Sequence, residues 1–153
     1  MTIDDIQQKL KQESLDAYII GYENRFLGQD ILPQEHKIKY LCGFSGSAGM
    51  LAVTADKVFL FVDGRYELQA RQEVDTNKIS VVNQTPCLEN VLCFLKQQKV
   101  QKIGFDGWSV AAGEIAENES LFPKLQLVDV GTWVDLEAKS IVEVKERSSV
   151  YAG

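Results

Sequence analysis

The sequence predicts an α/β fold in which helices flank a mixed sheet of parallel and antiparallel strands. Stretches with helical apolar spacing alternate with short, β-rich apolar runs along most of the 153 residues. Two of these runs, residues 51–54 and 58–62, are separated by a short polar turn, which indicates an antiparallel hairpin. The hydrophobic content of 45% suffices for one packed core at this length. A hairpin within an alternating pattern therefore makes the predicted sheet mixed.

The first half of the chain contains clear signals for the starts and ends of elements. Thr2 offers a capping oxygen, and Asp4 and Asp5 place acids in the first turn of a helix. A later apolar run closed by Gly21 is typical of a buried strand. In chain order, the predicted elements are a helix over 3–14, a strand over 17–20, a loop over 22–33, a short helix over 34–41, the hairpin of 51–54 and 58–62, and a helix that ends near residue 75.

The second half continues the same alternation. Pro86 stands near the start of an amphipathic helix, where its missing N–H is not needed, and Lys96 and Lys99 suit the negative C-terminal end of that helix. Ser109 is the predicted cap of the next helix. The predicted elements are a strand over 79–82, the helix that follows Pro86, a strand over 102–106, a helix over 111–118 and a strand over 125–129.

Charge and composition exclude several classes of function. With 22 acidic against 16 basic residues, the net charge of -6 would repel a phosphate backbone, so no nucleic-acid partner is expected. Apolar runs are much shorter than the ~20 residues of a membrane helix, and the N-terminus lacks the apolar region of a signal peptide. Three cysteines without a C-x-x-C pair indicate reduced thiols. We therefore expect a cytoplasmic protein without membrane contact.

A single histidine, His36, is available for metal or general-base chemistry. A Cys/His enzyme would have to pair it with Cys42, but side chains six residues apart on a helix point about 120° apart. The alternative makes Cys42, Cys87 and Cys93 small core residues and His36 a surface residue, which agrees with free cysteines being commonly buried. The sequence thus predicts no catalytic residue and no metal site in this chain, with Cys/His catalysis as the competing hypothesis.

Two short motifs are candidates for ligand binding. Residues 43–49, Gly-Phe-Ser-Gly-Ser-Ala-Gly, form either a structural turn or a ligand-facing loop, and they lack the lysine of a phosphate-binding loop. The motif Asp63-Gly64-Arg65 follows a predicted buried strand, at the end where ligands of α/β sheets collect. Arg65 could hold a carboxylate or carbonyl through its planar donors, or it could form only a structural pair with Asp63.

Three segments follow one another in a recognisable order and spacing: Leu-Asp-Ala-Tyr-Ile-Ile at 15–20, Tyr-Leu-Cys-Gly-Phe-Ser-Gly-Ser-Ala-Gly at 40–49, and Phe-Val-Asp-Gly-Arg-Tyr-Glu-Leu-Gln-Ala at 61–70. Together they resemble the N-terminal domain of Xaa-Pro aminopeptidases (aminopeptidase P). The resemblance extends more weakly through residues 104–106 and 133–135. It implies the creatinase/prolidase N-terminal fold, a mixed sheet with helices on both sides.

The resemblance also implies a function, that of a noncatalytic domain in a cytosolic enzyme that removes the N-terminal residue preceding proline. In that family a separate C-terminal domain holds two divalent metals, usually manganese, on Asp-Asp-His-Glu-Glu ligands. The N-terminal domain is implied to shape substrate access, to join a homodimer contact, and to supply Arg65 as a contact to substrate peptide oxygens. We therefore expect no cofactor in this chain, and as partners the rest of the polypeptide and a peptide with proline at its second position.

Residues 1–135 are the predicted domain, and residues 136–153 are a predicted boundary segment that leads to a second domain. After Asp135 the family commonly carries a Trp-x-Asp-Arg-Pro-Pro segment, whereas residues 136–141 here contain no proline. The ending Tyr151-Ala152-Gly153 is similar to the Tyr-x-Gly that opens the second domain of longer family members. The alternative hypothesis is a free-standing module of the same fold that binds a small ligand or a peptide.

Overall fold

In the computed structural model, residues 2–21, 33–46, 49–105, 110, 112–131 and 133 are described. The predicted loop over 22–33 lies outside them except at Pro33, which is instead the first residue of the second helix. Ser47 and Ala48 of the 43–49 motif, Ser109, Ala111 and the segment 136–153 also lie outside the described residues. Helices and strands alternate within the described residues as the sequence predicts. Their bounds are α1 Ile3–Gln12, β1 Ala17–Ile20, α2 Pro33–Cys42, β2 Met50–Thr54, β3 Val58–Val62, α3 Gly64–Glu73, β4 Ser80–Asn83, α4 Leu88–Gln97, β5 Lys102–Phe105, α5 Ala112–Leu121 and β6 Gln126–Asp129.

Helix α1 begins where the sequence predicts. The Thr2 hydroxyl accepts a hydrogen bond from the Asp5 N–H at 3.3 Å, and the Thr2 N–H donates to the Asp5 carboxylate at 2.9 Å, which is a complete capping box. These bonds hold the pKa of Asp5 below its ordinary value. The helix ends two residues before the predicted end, at Gln12, because Ser14 takes a left-handed conformation with φ of 56° that turns the chain into β1.

Six strands of the described residues form one sheet in the order β4-β3-β2-β1-β5-β6. Strand β2 pairs antiparallel with β1 and β3, and Met50 lies opposite Phe61 in the hairpin. The pairs β1–β5, β5–β6 and β3–β4 are parallel. The predicted mixed sheet is confirmed. These directions bring the start of β2 and the ends of β3 and β4 to one edge, called here the C-terminal edge.

The central strands are buried on both faces, which explains why they are continuous apolar runs in the sequence. Every residue of β1, β2 and β3 is buried. Helices α1, α2 and α3 cover one face with Ile6, Ile38 and Ala70 among their buried residues. Helices α4 and α5 cover the other, where Leu92 and Ile115 are buried. None of the described helices has the length and apolar character needed to cross a membrane.

The cysteines occupy three different environments. Cys42 is buried, as predicted, but Cys87 is half-buried at the N-cap of α4, and Cys93 is exposed on that helix. Successive residues of a helix point about 100° apart, so Cys93 points away from the buried stripe to which the preceding residue, Leu92, belongs. The prediction of a core role is therefore wrong for Cys93. The buried stripe of α4 consists of Leu88, Val91, Leu92 and Leu95.

Candidate functional site

The glycine loop comprises residues 43–49, of which 43–46 and 49 are described, and its described glycines Gly46 and Gly49 lie against the ring of Phe44. This ring is fully buried and meets the ring of Tyr66 edge-on, with centroids 6.2 Å apart. A Cβ atom at Gly46 would lie 2.1 Å from Cζ of Phe44, so glycine lets the backbone pass over the ring. Gly43 has a φ of +87°, a left-handed conformation that favours glycine. These glycines serve packing, which favours the structural turn over the ligand-facing loop.

The carboxylate of Glu73 ties the glycine loop to α3. It accepts hydrogen bonds from the N–H of Ser45 at 3.1 Å and from its hydroxyl at 2.5 Å. The side-chain amide of Gln69 donates to Glu73 at 3.1 Å and to the Ser45 hydroxyl at 3.2 Å. Partial burial acts to raise the pKa of Glu73, but these hydrogen bonds and the charge of Lys39 outweigh it and hold the pKa below its ordinary value. An ionised carboxylate therefore holds the loop.

The arginine corner, which consists of Asp63, Gly64 and Arg65, lies where β3 ends and α3 begins. Asp63 caps α3, and its carboxylate accepts a hydrogen bond from the Arg65 N–H at 2.9 Å. Nη2 of Arg65 donates to the same carboxylate at 3.1 Å, and the guanidinium lies 5.7 Å from the ring centroid of Tyr66. The hydrogen bond from Arg65 lowers the pKa of Asp63, and the same bond raises the pKa of Arg65. Both groups are therefore charged at neutral pH.

The side chain of Arg65 is 81% exposed in spite of this pairing. A guanidinium has five N–H donors, and the contacts with Asp63 use Nε and Nη2. The two alternatives that the sequence left open are therefore compatible, because the structural pair is formed while the other donors remain accessible. A ligand-binding role for Arg65 stays a prediction.

A cleft of about 440 Å³ lies beside the arginine corner, on the side of the sheet that α4 covers. We call it the amide cleft, because Asn83, Gln84, Asn90 and Gln97 are among its lining residues. Asp63 and Gly64 line it as well, whereas Arg65 does not. The C-terminal edge thus carries the glycine loop on its α3 side and the amide cleft on its α4 side.

Cys42 has none of the activation that a catalytic nucleophile needs. Its thiol donates a hydrogen bond to the Ile38 carbonyl at 3.1 Å, and burial raises its pKa to about 11. Such a thiol stays protonated at neutral pH and is a poor nucleophile. The side chain of His36, its proposed partner, lies outside the described residues. The Cys/His hypothesis therefore has no supporting geometry at Cys42.

A dinuclear metal centre does not fit the described part of the chain. No group of three or more His, Cys, Asp or Glu side chains is placed there to hold a metal ion. Paired metals of the hydrolytic type require several such ligands, shared between two ions a few ångströms apart. The carboxylates of the C-terminal edge have other partners, since Glu73 binds Ser45 and Asp63 binds Arg65.

The profile of the creatinase/prolidase N-terminal domain family matches residues 3–136. The chain belongs to this family. The match agrees with the mixed six-stranded sheet and its two helical layers. The resemblance that the three sequence segments indicated is therefore confirmed.

Several proteins similar to this creatinase/prolidase N-terminal domain carry informative names. The chain is 32% identical over 115 residues to Xaa-Pro aminopeptidase 1 from Dictyostelium discoideum. This alignment covers 72% of this chain and 18% of that protein. An Xaa-Pro aminopeptidase structure from Streptococcus pyogenes matches with a TM-score of 0.69 and 20% identity, over 86% of this chain and 91% of that one. The Caenorhabditis elegans X-prolyl aminopeptidase, described as cytosolic with a dinuclear active site, matches with a TM-score of 0.66 and 22% identity, over 84% and 23%. The chain thus spans about a fifth of the first relative's length.

Four residues that shape this creatinase/prolidase N-terminal domain at the C-terminal edge are given no role of their own by the sequence predictions: Ser45, Gln69, Glu73 and Asn83. Gln69 and Glu73 are four residues apart on α3, and that spacing indicates a shared helix face. Their partner Ser45 lies 28 residues before Glu73, and no local pattern connects the two. Asn83 follows an ordinary short strand and carries no motif. Only the spacing of Gln69 and Glu73 was therefore visible in the sequence.

Proposed function

We propose that this chain is the noncatalytic N-terminal domain of a dinuclear-metal Xaa-Pro aminopeptidase, which removes the residue that precedes proline at a peptide N-terminus. Family membership over residues 3–136 supports the assignment as a domain. The names of its relatives support the substrate class. We place the two metals, which we propose to be manganese, in a catalytic domain outside this chain, and the dinuclear active site of the Caenorhabditis elegans relative supports this part of the proposal.

The organisation of the whole protein is part of the proposal. The domain covers residues 1–135, and residues 136–153 lead to a second domain. A cytoplasmic location agrees with three cysteines that lack a C-x-x-C pair and with the cytosolic relative from Caenorhabditis elegans. We also propose that the full-length enzyme is a homodimer, and this part of the proposal is supported by the motif resemblance alone.

The exposed guanidinium of Arg65 is the observation that supports a role in substrate binding. It extends from the C-terminal edge of the sheet, where ligands of α/β folds collect. Asp63 and the ring of Tyr66 hold it in place. A held guanidinium with accessible donors suits a peptide carbonyl oxygen, which it would orient without transferring a proton. The domain would thereby shape the access of peptides to the active-site cleft.

Arg65→Ala in the full-length enzyme tests this role. We expect kcat/KM for Xaa-Pro peptides to fall about tenfold, because a positioned contact to the substrate is lost. Arg71→Ala is the matched control, since Arg71 lies on the same helix and pairs with Glu67. The thermal unfolding midpoint should stay near that of the wild type in both variants. Unchanged kinetics in Arg65→Ala would return Arg65 to a purely structural pair with Asp63.

A further inference from the structure

We propose that the amide cleft binds a short, uncharged peptide segment through its main chain. The cleft is distinct from the exposed guanidinium, because Arg65 is not among its lining residues. Its volume of about 440 Å³ falls within the ~300–1,000 Å³ of small-ligand pockets. It lies at the carboxyl ends of the parallel strands β3 and β4, the usual position of ligand sites in such sheets.

The chemistry of the lining favours a ligand that both donates and accepts hydrogen bonds. Each carboxamide offers an N–H₂ donor and a carbonyl acceptor, the same pair of groups that a peptide unit presents. The exposed side chains of Asn83, Gln84 and Gln97 form no hydrogen bond within the described part of the chain. Asn90 donates to the Thr85 carbonyl at 2.9 Å, which holds the turn after β4 against α4. The hydrogen bond of Asn90 thus fixes one side of the cleft, while the carboxamides of Asn83, Gln84 and Gln97 remain able to bond to a ligand.

The charge of the lining disfavours ions. Asp63 is the one charged side chain among the described residues that line the cleft, and its carboxylate binds the guanidinium of Arg65 at 3.1 Å. The remaining polar groups are neutral. An anion would meet the Asp63 carboxylate without a compensating cation in the lining, and a cation would compete with Arg65. An uncharged ligand matches the lining best.

One wall of the cleft is apolar. The ring of Phe94 is held edge-on by Phe59 and Phe61, with centroid distances of 4.8 and 5.3 Å. A rigid aromatic ring next to carboxamides suits a peptide, whose aliphatic side chain can pack on the ring while its main chain bonds to the amides. This inference does not depend on the proposed aminopeptidase activity.

The test is a titration of the full 153-residue chain, labelled with ¹⁵N, with acetyl-tetra-alanine amide as the neutral peptide. We expect saturable shifts in the side-chain N–H₂ signals of Asn83, Asn90 and Gln97. The double variant Asn83→Ala/Gln97→Ala should bind about tenfold more weakly, because two hydrogen bonds are removed. Its matched control is Gln72→Ala/Asn77→Ala, which removes an exposed Gln and an exposed Asn outside the cleft.

Three results would overturn the proposal. The first is the absence of saturable shifts at millimolar peptide, or shifts confined to residues outside the cleft. The second is equal weakening in the double variant and its control. The third is binding of inorganic phosphate or maltotriose as tightly as the peptide, since these probes carry charge or hydroxyl groups in place of amides. Loss of kcat/KM in Arg65→Ala together with any of these results would leave the proposed function intact while removing the cleft site.

Discussion

The glycine loop and the amide cleft lie on opposite sides of one sheet edge. They differ in how many of their polar side chains form hydrogen bonds within the domain. At the loop, Glu73 accepts hydrogen bonds from Ser45 and Gln69, and the Phe44 ring fills the space under the backbone. At the cleft, Asn83 is exposed and bonds to no side chain of the described residues. The described residues of the most conspicuous run in the sequence therefore serve packing, whereas the available amide groups of the cleft belong to residues without a motif.

Phe44→Ala should show the largest difference in stability between the two sides. Loss of a fully buried ring leaves a cavity under the glycine loop, and we expect the free energy of unfolding to fall by about 3–5 kcal/mol. Phe94→Ala, at the cleft, removes a half-buried ring and should cost less. Urea denaturation of both variants measures the difference. Equal losses would contradict the tighter packing inferred for the loop side.

Glu73→Gln should have a smaller effect that depends on pH. At neutral pH we expect a loss of about 1.5 kcal/mol, because the amide replaces one acceptor of the Ser45 hydrogen bonds with a donor. The folded state lowers the pKa of Glu73 from its ordinary 4.5, so its contribution is complete above that value and is lost as the pH falls through the lowered pKa.

Unfolding of the wild type and Glu73→Gln, followed from neutral to acidic pH, checks this prediction. The stability difference between the two proteins should shrink as the pH falls below about 4.5. Glu119→Gln, at an exposed position of α5, serves as the control, and its stability difference from the wild type should not change as the pH falls. A difference that stays constant into acid would show that the charge of Glu73 does not hold the loop.

The smallest effect on stability is expected for Arg65→Ala. The guanidinium is exposed, and surface ion pairs contribute little to folding. The Asp63 carboxylate would still accept the N–H of residue 65 and cap α3. Asp63→Ala removes that cap and should lower the urea midpoint measurably. A larger loss in Arg65→Ala than in Asp63→Ala would make the guanidinium a structural element and weaken its proposed role in binding.

Local features of this fold could be predicted well from the sequence. The capping box of Thr2 and the hairpin of β2 and β3 depend on residues only a few positions apart. The sequence predicts a core position for Cys93 wrongly because apolar residues flank it on both sides, and only the direction of the buried stripe of α4 shows that Cys93 faces outward. The bond between Ser45 and Glu73 joins segments on either side of the hairpin, so no periodicity reveals it.

The sequence by itself determined the alternation of helices and strands, the mixed character of the sheet, and a motif set specific enough to indicate the family. Each of these depends on spacing along the chain, which local sterics and hydrophobic periodicity convert into structure. The tertiary structure alone decided which side of the C-terminal edge is filled and which is open. The strand order β4-β3-β2 and the placement of α3 and α4 on opposite faces bring residues from four segments to that edge. Contacts between such distant segments depend on the packed arrangement, which spacing along the chain does not specify.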